Sequence, residues 1–504
     1  MRTLLIAVAA VVVIGGGAFT GLWYFASSEV ENFVDAEVER LRAEGAEISW
    51  SERIVEGFPT ALSVEFRDLS FTSADGRVTF TAPWTRTEAA AADVGLVRTT
   101  FAPEMTLRLD TETPNVGVLD FAIEQTDLTI TSSLQSATEA VEVTAAALSL
   151  AQTGTEATGG DEATAVAAVF SDLSLDMTEF TIEVARPEDR ADRVVGTMTA
   201  ATWAAGYGSN MAPGMSGDVD FSFNDLEIEL DTPLGMTWSL SEMITGAHEV
   251  ENEIRASGLN MTMEMGDPDL QVLVDASSGP VETTSTWGNG RISSDGGYTD
   301  LTYTVTQSGA PIQLPPMSVS FGGLRAAGDM PMTKTPEVAP MDFRLEIEDL
   351  VLAEEVWALF DPGEALPRDP ANLELDVSGL MRWLFDPLSI QPEPVVTAPV
   401  EVTRLEDSRL ALSLLGAEAE AEGTLDIDWS GPAPVADGQV AVRLVRVIEM
   451  LDTLAAARLL PPQQVQLPRA MLLGFTRQGE SPEERLVDLQ FKNGQVTANG
   501  QPLQ

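Results

Sequence analysis

Residues 64–71 read Val64-Glu65-Phe66-Arg67-Asp68-Leu69-Ser70-Phe71. Val64 and Phe66 share one side of a strand, as do Leu69 and Phe71, but the two pairs are out of phase. The alternation slips by one residue at Asp68. Asp followed by Leu, any residue and a large apolar one recurs at Asp127, Asp172, Asp225, Asp300 and Asp349. Across four of the six, the apolar positions jump by three: Phe66 to Leu69, Phe170 to Leu173, Phe223 to Leu226 and Ile347 to Leu350. One inserted residue that flips the side-chain phase is the mark of a β-bulge or a sharp strand bend. Asp suits such a position because its carboxylate can accept from backbone donors that the irregularity leaves unpaired. The spacing of the copies is too uneven for a strict solenoid. The expectation is a recurring strand-bend unit, with Asp68, Asp172, Asp225 and Asp349 at the irregularities.

Outward from that stretch, to about residue 352, period two dominates, as in Leu173/Leu175/Met177 and Met261/Met263/Met265. Thr, Ser, Glu and Asp fill the alternate positions, which fits antiparallel strands with one wet face. Asp75-Gly76 and Asn493-Gly494 are hairpin signals. Asp295-Gly296-Gly297 reads as a turn. Short helices are expected over 28–44, 353–360, 445–460 and 463–475. The fold class is therefore mainly β: long curved antiparallel sheets with bulged strands, a few short helices and one N-terminal transmembrane helix.

That last helix is Leu4 to Phe25, an uncharged run after Arg2 and before Glu29, Glu31 and Asp35. Its length spans a bilayer, and the flanking charges leave the bulk of the chain outside the cytoplasm. The alternative is a cleaved signal peptide, with secretion of the remainder. The organisation expected is a membrane anchor or signal segment over 1–27 and a juxtamembrane helix over 28–45. A β-rich body over 46–340 carries the Asp-Leu strands, and a β-rich region with short helices fills 341–504.

The 504 residues carry 28 basic and 79 acidic side chains, a net charge of −51. Only Lys334 and Lys492 are lysines. Such a surface repels phosphates, so no nucleic acid partner is expected. The absence of cysteine removes thiolate zinc sites and thiol nucleophiles. The sole histidine, His248, sits in Gly-Ala-His-Glu-Val-Glu-Asn, which is neither a two-histidine zinc motif nor half of a Gly-x-Ser-x-Gly hydrolase. Asp426 with Asp428 and Glu227 with Glu229 share strand faces, but wet-face residues at that spacing far outnumber tuned acid pairs. Catalytic, cofactor-binding and metal-ligating residues are all expected to be absent, so the chain reads as no enzyme.

Two further segments complete the pattern. Gly57-Phe58-Pro59 after a short strand reads as a structural turn whose Phe58 plugs a core. Glu355-Val356-Trp357 through Phe360-Asp361-Pro362 and Leu366-Pro367-Arg368-Asp369-Pro370 reads as a short helix and a rigid loop, with Trp357 and Phe360 on the apolar side. Together with Ala82-Pro83-Trp84 and the ending NGQVTANGQPL, these segments resemble the uncharacterised bacterial domain-of-unknown-function family 2125. That resemblance implies no activity and no catalytic residue. More loosely, the chain is similar to AsmA-like envelope proteins, which are associated with outer-membrane lipid and protein homeostasis. The expected function is a non-catalytic protein held at the inner membrane, with a periplasmic β body that serves as a scaffold or handles lipid or another apolar ligand. Its partners would be the inner membrane, through the N-terminal helix, and a lipid or an envelope protein. The alternatives are a secreted carboxylate-dependent hydrolase, which needs two buried acids in a cleft, and a small-ligand binding module, which needs a closed pocket.

Overall fold

The computed structural model describes residues 35–36, 38–56, 61–90, 96–110, 118–133, 138–156, 171–187, 192–207, 216–232, 244–246, 249–267, 270–310, 314–385, 387, 400–431 and 433–503. The anchor run Leu4 to Phe25, the Gly57-Phe58-Pro59 turn and His248 lie outside these residues. Among the described residues no helix is long and apolar enough to cross a membrane. The protein is mainly β, with 70% strand and 11% helix among the described residues, so the period-two signal outweighed the helical one there. It divides into two compact units, Met1–Trp238 with Asn252–Asp275 and Gln307–Gln313, and Ser239–Glu251 with Ala276–Thr306 and Leu314–Gln504.

In the first unit, residues 35–36 and 38–43 are helical (α1), and the helix stops at Gly45, whose φ is +103°. Only glycine adopts that angle freely, which is why the stop is there. Strands β1 (Glu47–Ser49) and β2 (Glu52–Glu56) both pair with β3 (Ala61–Thr72), and β3 pairs with β4 (Val78–Ala90). Asp75-Gly76 makes the β3–β4 hairpin, as its sequence predicts. The sheet continues through β5 (Leu96–Phe101) and β6 (Glu104–Asp110), both against β4, then β7 (Val118–Thr126) and β8 (Thr129–Ser133). Long strands follow: β9 (Thr138–Glu156), β10 (Ser171–Pro187), β11 (Asp192–Tyr207) and β12 (Ser216–Thr232). After β13 (Val250–Ala256), β14 (Gly258–Asp267) pairs with β12. The core of this unit gathers Val38 and Leu41 of α1 with Ile48, Val64, Phe66, Leu69, Phe71, Phe101 and Leu107. Phe71 is 1% exposed.

β15 (Leu270–Ser278) leads into the second unit, a run of antiparallel neighbours. Its sequence of strands is β16 (Val281–Gly288), β17 (Arg291–Ser308), β18 (Met317–Pro331), β19 (Ala339–Leu352), β20 (Ala371–Trp383), β21 (Val400–Leu414), β22 (Ala417–Asp428) and β23 (Val435–Val445). Each pairs with the next. β24 (Arg477–Gln478) and β23 flank β25 (Glu484–Lys492), and hairpins add β26 (Gln495–Ala498) and β27 (Gln501–Pro502). Asn493 and Gly494 both have positive φ, the geometry of a type I′ hairpin. Helices α2 (Glu354–Phe360) and α4 (Pro462–Phe475) start and end within one residue of the predicted segments, whereas α3 (Val447–Ala456) stops four residues before the predicted end at 460.

One turn expected from the sequence is a strand. Asp295-Gly296-Gly297 lies in the middle of β17, paired on both sides. A Cβ on Gly296 would come within 2.5 Å of Thr283 Oγ1, so the glycine marks close strand approach there and no turn.

Candidate functional site

The Asp-Leu segments explain how the strands of both units keep one apolar face. Asp68, Asp127, Asp225, Asp300 and Asp349 all adopt left-handed backbone, with φ of 50°, 57°, 47°, 49° and 47°. Asp and Asn enter that region at less cost than other residues with a side chain, which is why the phase slip selects Asp. At Asp68 and Asp225, contrary to expectation, the ladders keep register on both sides and no residue is inserted. The left-handed residue alone resets the alternation. The expected register break does occur at Asp349, between Ile347 and Leu350 against β20, and beside Asp172, between Ser171 and Ser174 against β11. The hydrogen bonding also differs from expectation. Asp68 Oδ2 accepts from Ser51 Oγ at 2.5 Å and Asp225 Oδ2 from Ser257 Oγ at 2.7 Å, so the partner is a serine of the neighbouring chain segment and no local backbone donor. The serine N–H donates to the carbonyl of the residue before the Asp in both cases, 2.9 Å each.

These positions line up across the strands. Asp68 faces Ser51 and Pro83, which has no N–H to offer. Asp127 faces Ala146, Ala146 faces Glu179, Glu179 faces Thr199, and Thr199 faces Asp225. In the second unit, Asp300 faces Gly322 and Gly322 faces Asp349, whose N–H donates to Asn372 Oδ1 at 2.9 Å. Neighbouring strands slip at the same level: Ala82 to Thr85 in β4, Met177 to Phe180 in β10, Met198 to Ala201 in β11. Because neighbours slip together, the apolar residues on both sides of the line stay on one face.

In the second unit that face is apolar across strand after strand. Ile347, Leu373, Leu412, Ala419 and Leu444 form one cross-strand row, and Leu345, Leu375, Leu410, Ala421, Val442 and Val487 form the next. Directly paired residues share a face, so each row lies on a single side of the sheet. Leu410, Leu412 and Leu414 are exposed, Leu412 by 38%. Alternate residues are charged on the opposite face, with Glu346, Glu374, Glu420 and Arg443 in register. A depression of about 450 Å³ is lined by Glu374, Glu418 and Glu420 and also by Ile347, Leu373 and Leu412 of the first row. Its glutamates are half-exposed, and arginines neutralise them in part: Arg409 lies 3.6 Å from Glu374, and Arg443 lies 3.6 Å from Glu420 and 3.8 Å from Glu418.

The Glu355–Pro370 segment folds into a small polar and aromatic knot. Trp357 is buried, its ring centroid 5.0 Å from that of Phe360 and 4.2 Å from the Arg368 guanidinium carbon. Asp361, 3% exposed, accepts from the N–H groups of Leu366 and Ala365 at 2.9 and 3.0 Å and from Arg368 at 2.8 Å. The Leu366 N–H, then the Ala365 N–H and Arg368, hold its carboxyl below the usual aspartate range against the opposing effect of burial. Pro367 is exposed and sits 3.6 Å from where a Cβ on Gly416 would stand. The knot is therefore a staple between β19 and β20. Among the described residues Asp361 is the one buried carboxylate, and no three acidic or histidine side chains converge as metal ligands would.

The structure thus puts left-handed backbone at Asp68, Asp225 and Asp349, a register break at Asp349 and beside Asp172 but none at Asp68 or Asp225, and Trp357, Phe360 and Pro367 in the knot. It adds Glu179 and Asp407, with φ of 49° and 43°, which the Asp-Leu pattern misses. A jump of three from Met177 to Phe180 is the signal that would have found Glu179.

Comparison with known proteins agrees with the ends and middle of the chain. A family model described as an uncharacterised protein conserved in bacteria (DUF2125) matches residues 23–248 and 298–503. The chain belongs to that family. No curated protein matches the chain.

Proposed function

We propose that this member of the family is a non-catalytic envelope protein, held at the inner membrane through Leu4 to Phe25 with its β body in the periplasm. The body handles lipid or a comparably apolar ligand on the apolar face of the second unit. One observation carries this reading: the cross-strand rows through Leu373–Leu412 and Leu375–Leu410 carry exposed leucines at Leu410 and Leu412, whereas alternate residues on the other side include charged ones. Isolated exposed leucines are ordinary, but a contiguous exposed apolar surface marks a binding face. An open sheet face suits a long acyl chain better than a compact ligand, which needs a closed pocket. The analogy with AsmA-like envelope proteins points the same way and adds no independent weight.

A carboxylate-dependent hydrolase is the weaker reading. It needs buried acids in a cleft, and the buried Asp361 is already saturated by two N–H groups and Arg368. The test is to extract the full chain from membranes in a mild detergent and identify co-purifying lipid by mass spectrometry. Leu410→Glu with Leu412→Glu should remove most of it. Equal lipid on both proteins, or none on the parent, would end the lipid reading.

A further inference from the structure

The strand ends of the second unit gather apolar side chains at one edge. β19 ends at Leu352 and runs into α2, β21 turns into β22 at Leu414–Ala417, and β23 ends at Val445 before α3. The antiparallel register puts these termini together, with Leu350 paired to Ala371, Leu414 to Ala417 and Glu418 to Val445. Leu359 and Phe360 of α2, Leu414, and Leu467, Met471 and Leu473 of α4 are all exposed there, Leu467 by 68%. α4 buries Val465 but turns much of its apolar length outward. Composition changes at the same place. Residues 453–479 contain no Asp or Glu and three arginines, Arg458, Arg469 and Arg477, in a chain with 79 acidic residues. Arg469 is paired with Asp452 of α3, which fixes α4 against its neighbour in the helical pair.

We infer that α4 is a membrane-docking element, seating Leu467 and Met471, one turn apart on the same face, in the headgroup–acyl boundary of a phospholipid bilayer. The inference rests on the apolar-ligand reading and deepens it, since it names the lipid source and the edge at which lipid meets the sheet. A chain of net charge −51 is repelled from phosphate-bearing surfaces, and this carboxylate-free stretch is where that repulsion is locally lifted. With two of its three arginines already engaged by Asp452 and Asp488, the attachment is driven by apolar burial and is insensitive to salt.

Because the chain has no cysteine, one introduced thiol gives a clean reporter. The full chain, reconstituted in phosphatidylcholine vesicles, is labelled with a fluorophore at Met471→Cys or, as control, at Gln439→Cys on an exposed strand position. Brominated phosphatidylcholine should quench the label at 471 and leave that at 439 unaffected, at both about 0.1 M and about 1 M salt. Adding Leu467→Asp should cut the quenching by about tenfold, whereas adding Leu473→Asp on the other side of the helix should not, with an unchanged melting curve as the folding check. Equal quenching at the two positions overturns docking. So does a photo-crosslinker at Leu467 that captures a second copy or another protein in place of lipid. Either failure leaves lipid capture at Leu410 and Leu412 standing, because that is read by co-purification.

Discussion

Phe71 and Leu412 occupy comparable places, both large apolar side chains on the apolar phase of an antiparallel strand. Phe71 is 1% exposed and Leu412 is 38% exposed. In the first unit the sheet around Phe71 is broken into short strands, β1 with β2, β5 with β6 and β7 with β8, and α1 adds Val38 and Leu41 to the same cluster. In the second unit β17 to β23 run on at 11 to 18 residues each, and leucines of β21 stay open. Broken strands and α1 close over the apolar face around Phe71, whereas β21 keeps its own open; length alone does not decide this, since β9 to β12 of the first unit run 16 to 19 residues. The same alternating sequence therefore builds a core in one unit and a surface in the other.

The sharpest way to break this comparison is to truncate both side chains. Phe71→Ala should cost about 3–5 kcal/mol, because a fully buried aromatic leaves a cavity. Hydrogen exchange of the first unit would measure it, and a loss below about 1 kcal/mol would show that the core is not closed. Next in size is the left-handed backbone that both units share. Asp68→Val should destabilise by about 1–2 kcal/mol, whereas Asp68→Gly should cost far less. Glu179 sharpens the point, since Glu179→Gly at φ 49° should be neutral or stabilising; the lost Thr199 hydrogen bond, 2.6 Å, is the opposing effect. Denaturant midpoints would rank these variants, and equal losses for Val and Gly at 68 would refute the backbone argument.

Much of this was legible in the residues. Strands, the Asp75-Gly76 and Asn493-Gly494 turns, and α2 to α4 follow from periodicity and turn chemistry. The Asp-Leu phase slip pointed to the irregular positions but not to their form, because a left-handed residue and an inserted one leave the same jump of three. Glu179 escaped since backbone demand, not a side-chain motif, defines the position. Asp295-Gly296-Gly297 misled because glycine marks both turns and close strand approach. Which apolar face would be covered was not readable at all: alternation says that a face exists, and only strand length and neighbours decide what lies over it.

A smaller effect tests the knot that joins β19 to β20. Asp361 has a carboxyl held below its usual range in the folded protein, so it contributes stability above the unfolded aspartate pKa of about 4. That contribution is lost as pH falls through the lower folded value. Asp361→Asn should therefore be destabilising at pH 7, and the gap to the parent should close on strong acidification. A gap that is the same at neutral and strongly acidic pH would mean the carboxylate's charge contributes nothing.

The smallest expected effect returns to Leu412. Since it is already in contact with water, Leu412→Ala should change stability by about 0.5 kcal/mol or less, as surface substitutions do. The decisive comparison is with the same substitution's effect on lipid captured by the full chain. A side chain kept for folding would move both readouts together. Leu412 on a binding face should lower bound lipid while leaving the denaturation midpoint in place. If stability falls by as much as a buried leucine costs, about 2–5 kcal/mol, then something covers this face and the two units are not opposites after all.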